Sequence, residues 1–386
     1  MDNIHRVTAL ATNFVVAMSM CTAVSAQDRG SNDRSVPDWV NRLSISGRAF
    51  LRYGYELASS KDDFNEFAVD RVYLTFKSKV SDKSVVQYTL EGGEIRDSEY
   101  RLSGGNLEKT STTMDVETKY FFYEVTDALY RSGFVRVGQA PQPWVPFQED
   151  LWGYRVQGTV FSDRSGYLSS TDLGLSFGGA IPDGYGTWHA AFVNGEGWKS
   201  PERGKHKDFH LRVTAFPFAK SREEVKNLFV SGFVSTGAYD DVISGPRDRQ
   251  RAIVQLGYRK AGSGYLGAEY LWASDPADKM KARYPSLGAR SGQVSDALGY
   301  SLYGVVNLGT FGGGADARKW DILARFDHLD PDDEIADNNV ERWIFGVGHR
   351  FSSNVLALLD YETVEYASGS GKPDERRISL RADIKF

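Results

Sequence analysis

The sequence predicts an all-β fold, a 16-stranded antiparallel transmembrane β-barrel. Three observations lead there. Apolar and polar residues alternate along most of the chain. Long and short connections alternate between those runs. The composition favours pleated strands and turns, with 20 Tyr, 22 Phe, 39 Gly and 1 Cys in 386 residues. A mean hydropathy of −0.41 speaks against a bundle of membrane helices. It does not speak against a barrel, whose strands turn one face to lipid and the other to water. The 46 basic against 51 acidic residues give a net charge of −5, too acidic for a nucleic-acid partner.

The N-terminus has a charged start at Asp2 and Arg6, an apolar stretch from Val7 to Val24, and small residues at Val24-Ser25-Ala26. This is the pattern of a secretory signal peptide, 1–26, cleaved after Ala26. Cys21 would leave with it. Residues 27–42 are polar and read as a short periplasmic leader. The barrel is assigned to 43–386.

The first strand sets the pattern. Leu43, Ile45, Ala49, Leu51, Tyr53 and Tyr55 share one parity, and Ser44, Ser46, Arg48, Arg52 and Glu56 share the other. A period of two over a dozen residues marks a strand with one apolar face. Fifteen further runs repeat it, giving strands at 43–57, 67–80, 84–96, 114–126, 133–139, 171–181, 185–195, 207–218, 227–238, 250–261, 264–274, 294–309, 319–329, 340–352, 355–366 and 375–386. Tight turns such as Ser81-Asp82-Lys83 and Pro182-Asp183-Gly184 alternate with longer loops. An even strand number with this alternation is the plan of an outer-membrane barrel, with the short turns on the periplasmic side. Trp188 and Trp320 fall near the periplasmic strand ends. Trp272, Trp343, Tyr55, Tyr239 and Tyr366 fall near the other ends, where aromatic girdles form at lipid–water boundaries.

The polar parity defines the candidate lumen. Its basic residues are Arg48, Arg52, Arg71, Lys77, Arg136, Arg212, Arg251, Arg259, Arg325, Arg342, Arg350, Arg377, Arg381 and Lys385. Its acidic residues are Glu56, Glu91, Glu269, Asp321, Asp327, Asp360, Glu362 and Asp383. Fourteen against eight makes a basic lining, which lowers the barrier for anions. Pairing of these arginines with neighbouring carboxylates would cancel much of that potential. The longest connection, 140–170, is the candidate constriction folded into the barrel. It carries Glu149, Asp150, Tyr154, Arg155, Asp163 and Arg164, charges that either set a field across the channel or pin the loop to the wall.

Four stretches carry a family resemblance: Arg71-Val72-Tyr73-Leu74-Thr75-Phe76-Lys77, Val135-Arg136-Val137-Gly138-Gln139 leading into Pro143, Ser170-Thr171-Asp172-Leu173-Gly174-Leu175, and Val193-Asn194-Gly195-Glu196-Gly197. In these the chain resembles the phosphate-selective porins O and P. The resemblance implies a homotrimeric channel in the outer membrane of a Gram-negative bacterium. The final Phe386 resembles the signal read by the outer-membrane assembly machinery. Phosphate selectivity in that family goes with Lys- and Arg-rich linings, whereas loop 140–170 has Arg155 and Arg164 but no Lys.

The expected function is passive diffusion of small hydrophilic solutes with a mild preference for anions, phosphate included. Lipid and lipopolysaccharide would surround the barrel. No enzyme, cofactor or metal is expected. Gly262, Gly264 and Gly267 lie between strands with no helix following. The i, i+4 pair His206 and His210 falls at a strand, where that spacing does not converge on a metal as it would on a helix. The acidic loop around Asp330-Pro331-Asp332-Asp333-Glu334 lacks the glycine of a calcium loop. Two alternatives remain: a barrel for surface binding or anchoring, and an outer-membrane phospholipase-type enzyme.

Overall fold

The computed structural model describes residues 38–58, 64–94, 100–103, 106–109, 114–199, 202, 204–240, 242 and 245–386. The expected signal peptide and residues 27–37 of the leader lie outside them. Asp38–Asn41 forms one helical turn, α1.

The strands are β1 (Leu43–Glu56), β2 (Asn65–Ser81), β3 (Ser84–Glu94), β4 (Tyr100–Ser103), β5 (Asn106–Lys109) and β6 (Met114–Thr126). They continue with β7 (Gly133–Pro141), β8 (Thr171–Ile181), β9 (Gly186–Val193), β10 (Asp208–Ala215), β11 (Leu228–Ala238) and β12 (Asp248–Lys260). The last six are β13 (Gly264–Pro276), β14 (Val294–Asn307), β15 (Trp320–Asp330), β16 (Val340–Arg350), β17 (Val355–Tyr366) and β18 (Glu375–Lys385). All but β4 and β5 join one closed barrel, in which β1 pairs with β18 and β3 with β6. β4 and β5 pair with each other as a separate hairpin. The barrel therefore has sixteen strands, every neighbouring pair antiparallel. The strands read from sequence match these within three residues at each end. Closure leaves no edge strand within the barrel itself.

The outward parity is apolar and exposed, as at Phe121, Val137, Leu175, Phe192, Val254, Leu256, Leu302 and Phe345. Three register shifts interrupt the alternation, between Phe50 and Leu51, Lys79 and Ser81, and Thr89 and Leu90. Two aromatics assigned to girdles turn inward instead. The Tyr239 hydroxyl donates to Asp275 Oδ1 at 3.1 Å and Arg249 lies over its ring. Tyr366 shares the parity of inward-facing Asp360 and Glu362, beside Lys372. A phenol near the barrel rim gains a hydrogen bond or a cation by turning in, which lipid cannot supply.

The inner wall departs from the expected polar face. Phe229, Ile253, Leu271, Leu323, Ile344 and Leu358 sit at inward positions and are essentially inaccessible. They form two apolar clusters with residues of the connection between β7 and β8. Burying a side chain of this size contributes about 1.5–3 kcal/mol, which outweighs a net hydrogen bond of about 1 kcal/mol. That half of the wall is a packed core.

Gly138 tests the ladder between β6 and β7. Its φ of 122° is disfavoured for side-chain-bearing residues, and a Cβ there would lie 2.3 Å from the Phe121 carbonyl oxygen. Gly138→Val is expected to abolish the heat-modifiable, folded form of the barrel on detergent gels. Gly232→Val, where an added Cβ meets nothing within 4 Å, is expected to leave it intact.

Candidate functional site

The connection between β7 and β8 organises the interior. It holds two short helices, α2 (Val145–Trp152) and α3 (Phe161–Arg164), within the connection read from sequence as the candidate constriction. Pro146 lies in the first turn of α2, and Gly153 ends it in the left-handed conformation. Trp144, Val145, Gln148, Trp152 and Tyr154 are almost completely buried against the wall. The segment is packed inside the barrel along β10 to β18.

Its backbone carbonyls are met by arginines of the wall. Arg212 Nε donates to Pro143 O at 2.9 Å and Arg251 Nε to Tyr167 O at 2.9 Å. Arg325 Nη1 donates to Thr159 O at 3.1 Å, and Arg381 Nη1 to Val156 O at 3.3 Å. Side chains complete the attachment. Arg164 Nη1 pairs with Glu362 Oε1 at 2.7 Å, and Gln148 Nε2 donates to Gln255 Oε1 at 2.6 Å. Tyr154 OH donates to Asp321 Oδ2 at 2.6 Å. Asp150 reaches Arg259 at 2.8 Å, and Asp163 accepts from Thr159.

A second connection, between β13 and β14, locks the first. It contains α4 (Ala277–Met280), and Met280, Tyr284 and Leu287 are buried. Tyr284 OH donates to Ser165 O at 2.9 Å and Arg283 Nη1 to Arg164 O at 2.6 Å. These carbonyls belong to the C-terminal end of α3, where donors are otherwise lacking.

The basic parity read from sequence thus divides in two. Arg52, Arg251, Arg325, Arg342, Arg377 and Arg381 pair with carboxylates, chiefly Asp70, Asp275, Asp327, Glu362 and Asp360, beside or behind the packed segment. Arg212 stacks on Phe147 at 4.1 Å. Arg350 pairs with Asp321 at 2.8 Å and, with Arg259, borders a cavity of about 530 Å3 at the short-turn end. These groups are brought to the segment rather than to one open lining.

The opposite half is different. A cavity of about 400 Å3 is bordered by Arg48, Tyr73, Thr75, Gln87, Thr89, Lys119, Tyr120, Glu149, Arg155 and Lys385. Arg155 and Glu149 pair at 2.5 Å on the segment's side. Facing them, Glu91 is shared by Arg71 and by Lys119 Nζ, the latter at 3.1 Å. Arg48 pairs with Asp383 at 2.7 Å. Arg136 pairs with Glu124 farther along the wall, and Lys77 is exposed near the short-turn end.

Lys119 is absent from the lining read from sequence, although it shares the parity of Glu117, which pairs with inward Glu91. It is the extra residue at the bulge opposite Thr89 and Leu90, so Lys119 and Tyr120 both point inward. The same lining lacks Asp70, Glu124 and Asp275, partners of Arg52, Arg136 and Arg251.

No family model and no curated protein matches the chain. Solved structures do. One is OmpF of Salmonella typhi in complex with daunomycin, at 11% identity and a TM-score of 0.59, covering 89% of this chain and 97% of that one. The outer-membrane channel DcaP of Acinetobacter baumannii gives the same four values. The anion-selective porin from Comamonas acidovorans has 12% identity and a TM-score of 0.55, covering 89% of this chain and 99% of that one. At these identities the likeness establishes the fold, that of an outer-membrane porin barrel.

The clamps differ from the cavity-lining groups in what they hold. Arg381→Met would leave Asp360 buried without its partner, at a cost of about 3–5 kcal/mol. It is expected to lower the temperature at which the barrel loses its heat-modifiable mobility. Arg48→Met, at a part-exposed pair, is expected to shift that temperature far less.

Proposed function

We propose that the protein is an outer-membrane diffusion channel for small hydrophilic solutes, with a mild preference for anions. One observation carries the preference. Around the 400 Å3 cavity, Arg48, Arg71, Lys119, Arg155 and Lys385 stand against Glu91, Glu149 and Asp383. Five cations against three carboxylates leave a surplus of two positive charges in a narrow passage with low-dielectric walls. Such a passage focuses the field and concentrates anions.

The preference therefore rests on a smaller set than the fourteen basic positions of the inner parity. Most of the others hold the packed segment. Phosphate is one candidate among the permeating anions. Its support is the resemblance to the phosphate-selective porins, together with the paired guanidinium and ammonium groups at Glu91, which suit an oxyanion. The remaining parts of the proposal rest on the same reading. They are export through segment 1–26, residence in a Gram-negative outer membrane among lipid and lipopolysaccharide, assembly as a homotrimer, and recognition of Phe386 by the assembly machinery. The channel performs no covalent chemistry in this reading.

Purified protein in planar bilayers under a tenfold salt gradient tests it. The expected reversal potential has the sign of anion preference, with a permeability ratio of a few-fold. Glu91→Gln is expected to increase the ratio by releasing Arg71 and Lys119. A cation-selective wild-type channel, or a barrel without conductance, would contradict the proposal.

A further inference from the structure

We infer that Lys119 is the selectivity-determining cation of the passage and that Trp198 is its removable cap. The inference rests on the proposed channel function and assigns the preference to one residue and one loop.

Four observations carry it. First, Lys119 lies at a β-bulge that turns two successive side chains, its own and that of Tyr120, toward the interior. Thr89 pairs with Tyr120 and Leu90 with Thr118, so Lys119 is inserted between them and aimed at the interior. Alternation from Glu117, which pairs with buried Glu91, turns Lys119 inward, and the bulge brings Tyr120 in beside it. Bulges that re-aim a side chain occur preferentially beside functional sites. Second, Lys119 borders the 400 Å3 cavity, on the side opposite Arg155 and Glu149. Third, its only carboxylate partner within ion-pair distance among the described residues is Glu91, which Arg71 also engages. Two cations therefore share one anion, and the local charge is incompletely neutralised. Fourth, the ring of Trp198, from the connection between β9 and β10, covers the ammonium at 4.1 Å. Lys199 beside it pairs with Glu117 at 3.2 Å, which fastens the connection to the same wall.

The arrangement has a direct consequence. A cation over an aromatic face is held by about 0.5–2 kcal/mol, depending on its desolvation. An arriving oxyanion offers a charge-assisted hydrogen bond of greater strength. The anion thus replaces the ring at Lys119 rather than the Glu91 carboxylate. A neutral solute or a cation has no such contact to gain and passes with the cap in place.

The test uses single-channel reversal potentials and conductance of the full-length protein, with heat-modifiable mobility confirming that each variant folds. Lys119→Gln is expected to bring the anion-to-cation permeability ratio at least twofold closer to unity, and Lys119→Arg to retain it. Lys319→Gln, on the connection between β14 and β15 and outside the lining of the cavity, is expected to change nothing. Trp198→Ala is expected to raise anion current in dilute salt, and Trp198→Phe to behave as wild type. If the wild type prefers anions and folded Lys119→Gln keeps the full ratio, the role of Lys119 is overturned while the channel proposal stands. If Lys119→Gln acts as expected and Trp198→Ala leaves dilute-salt current unchanged, the cap is overturned. A wild type without anion preference would overturn this inference together with the proposal it rests on.

Discussion

The hydrogen bond from a wall guanidinium to a carbonyl of the packed segment is the contact on which the interior depends. A connection running from Gln142 to Ser170 through the inside of a barrel must find partners for its backbone polar groups away from bulk water. An unmet buried carbonyl costs about 1–3 kcal/mol. Two short helices satisfy part of the requirement internally. Arg212, Arg251, Arg325 and Arg381 satisfy Pro143, Tyr167, Thr159 and Val156 from the wall. Arginine suits this task because its planar fork can meet a carbonyl with one edge and a carboxylate with the other. Arg381 does so with Val156 O and Asp360, and Arg251 with Tyr167 O and Asp275.

From that contact the division of the barrel follows. The segment is drawn to β10 through β18, and the inward residues there are apolar where they touch α2 and charged where they touch its carbonyls. Strands β1, β2, β3 and β6 keep mostly polar inward side chains around a cavity. The charges of that half are fewer, but they are not consumed in holding the segment. A count of all inward charges overstates the potential, because a guanidinium engaged with both a carbonyl and a carboxylate presents little free field.

The barrel was legible because its cause is local. Lipid on one side and a polar interior on the other impose a period of two, and every strand repeats it. The packed half leaves a trace in the sequence that the polar-lumen reading passed over. Runs such as Ile253-Val254, Leu271-Trp272, Ile322-Leu323 and Leu358-Leu359 break the alternation. Adjacent apolar residues on one strand mean that neither face meets water, with lipid outside and the packed segment inside. The partners were not legible. Arg164 meets Glu362 across 198 residues and Gln148 meets Gln255 across 107, and no local pattern encodes such a contact. The inward turn of Tyr120 beside Lys119 was hidden for another reason. A bulge arises from the register between two strands, and one strand's parity does not contain it.

The division of the wall is most directly tested by thiol accessibility. The chain's single cysteine is Cys21, so Cys21→Ser supplies a thiol-free background. Single cysteines at Thr75 and Gln87, beside the cavity, are compared with cysteines at Ser231 and Ser301, on the packed half and fully buried. A small anionic thiol reagent is added during bilayer recording. The account predicts rapid modification and a stepwise loss of current at Thr75→Cys and Gln87→Cys, and no reaction at Ser231→Cys or Ser301→Cys. Equal rates at all four positions would mean that the segment is not held against β10 through β18, and would contradict the account.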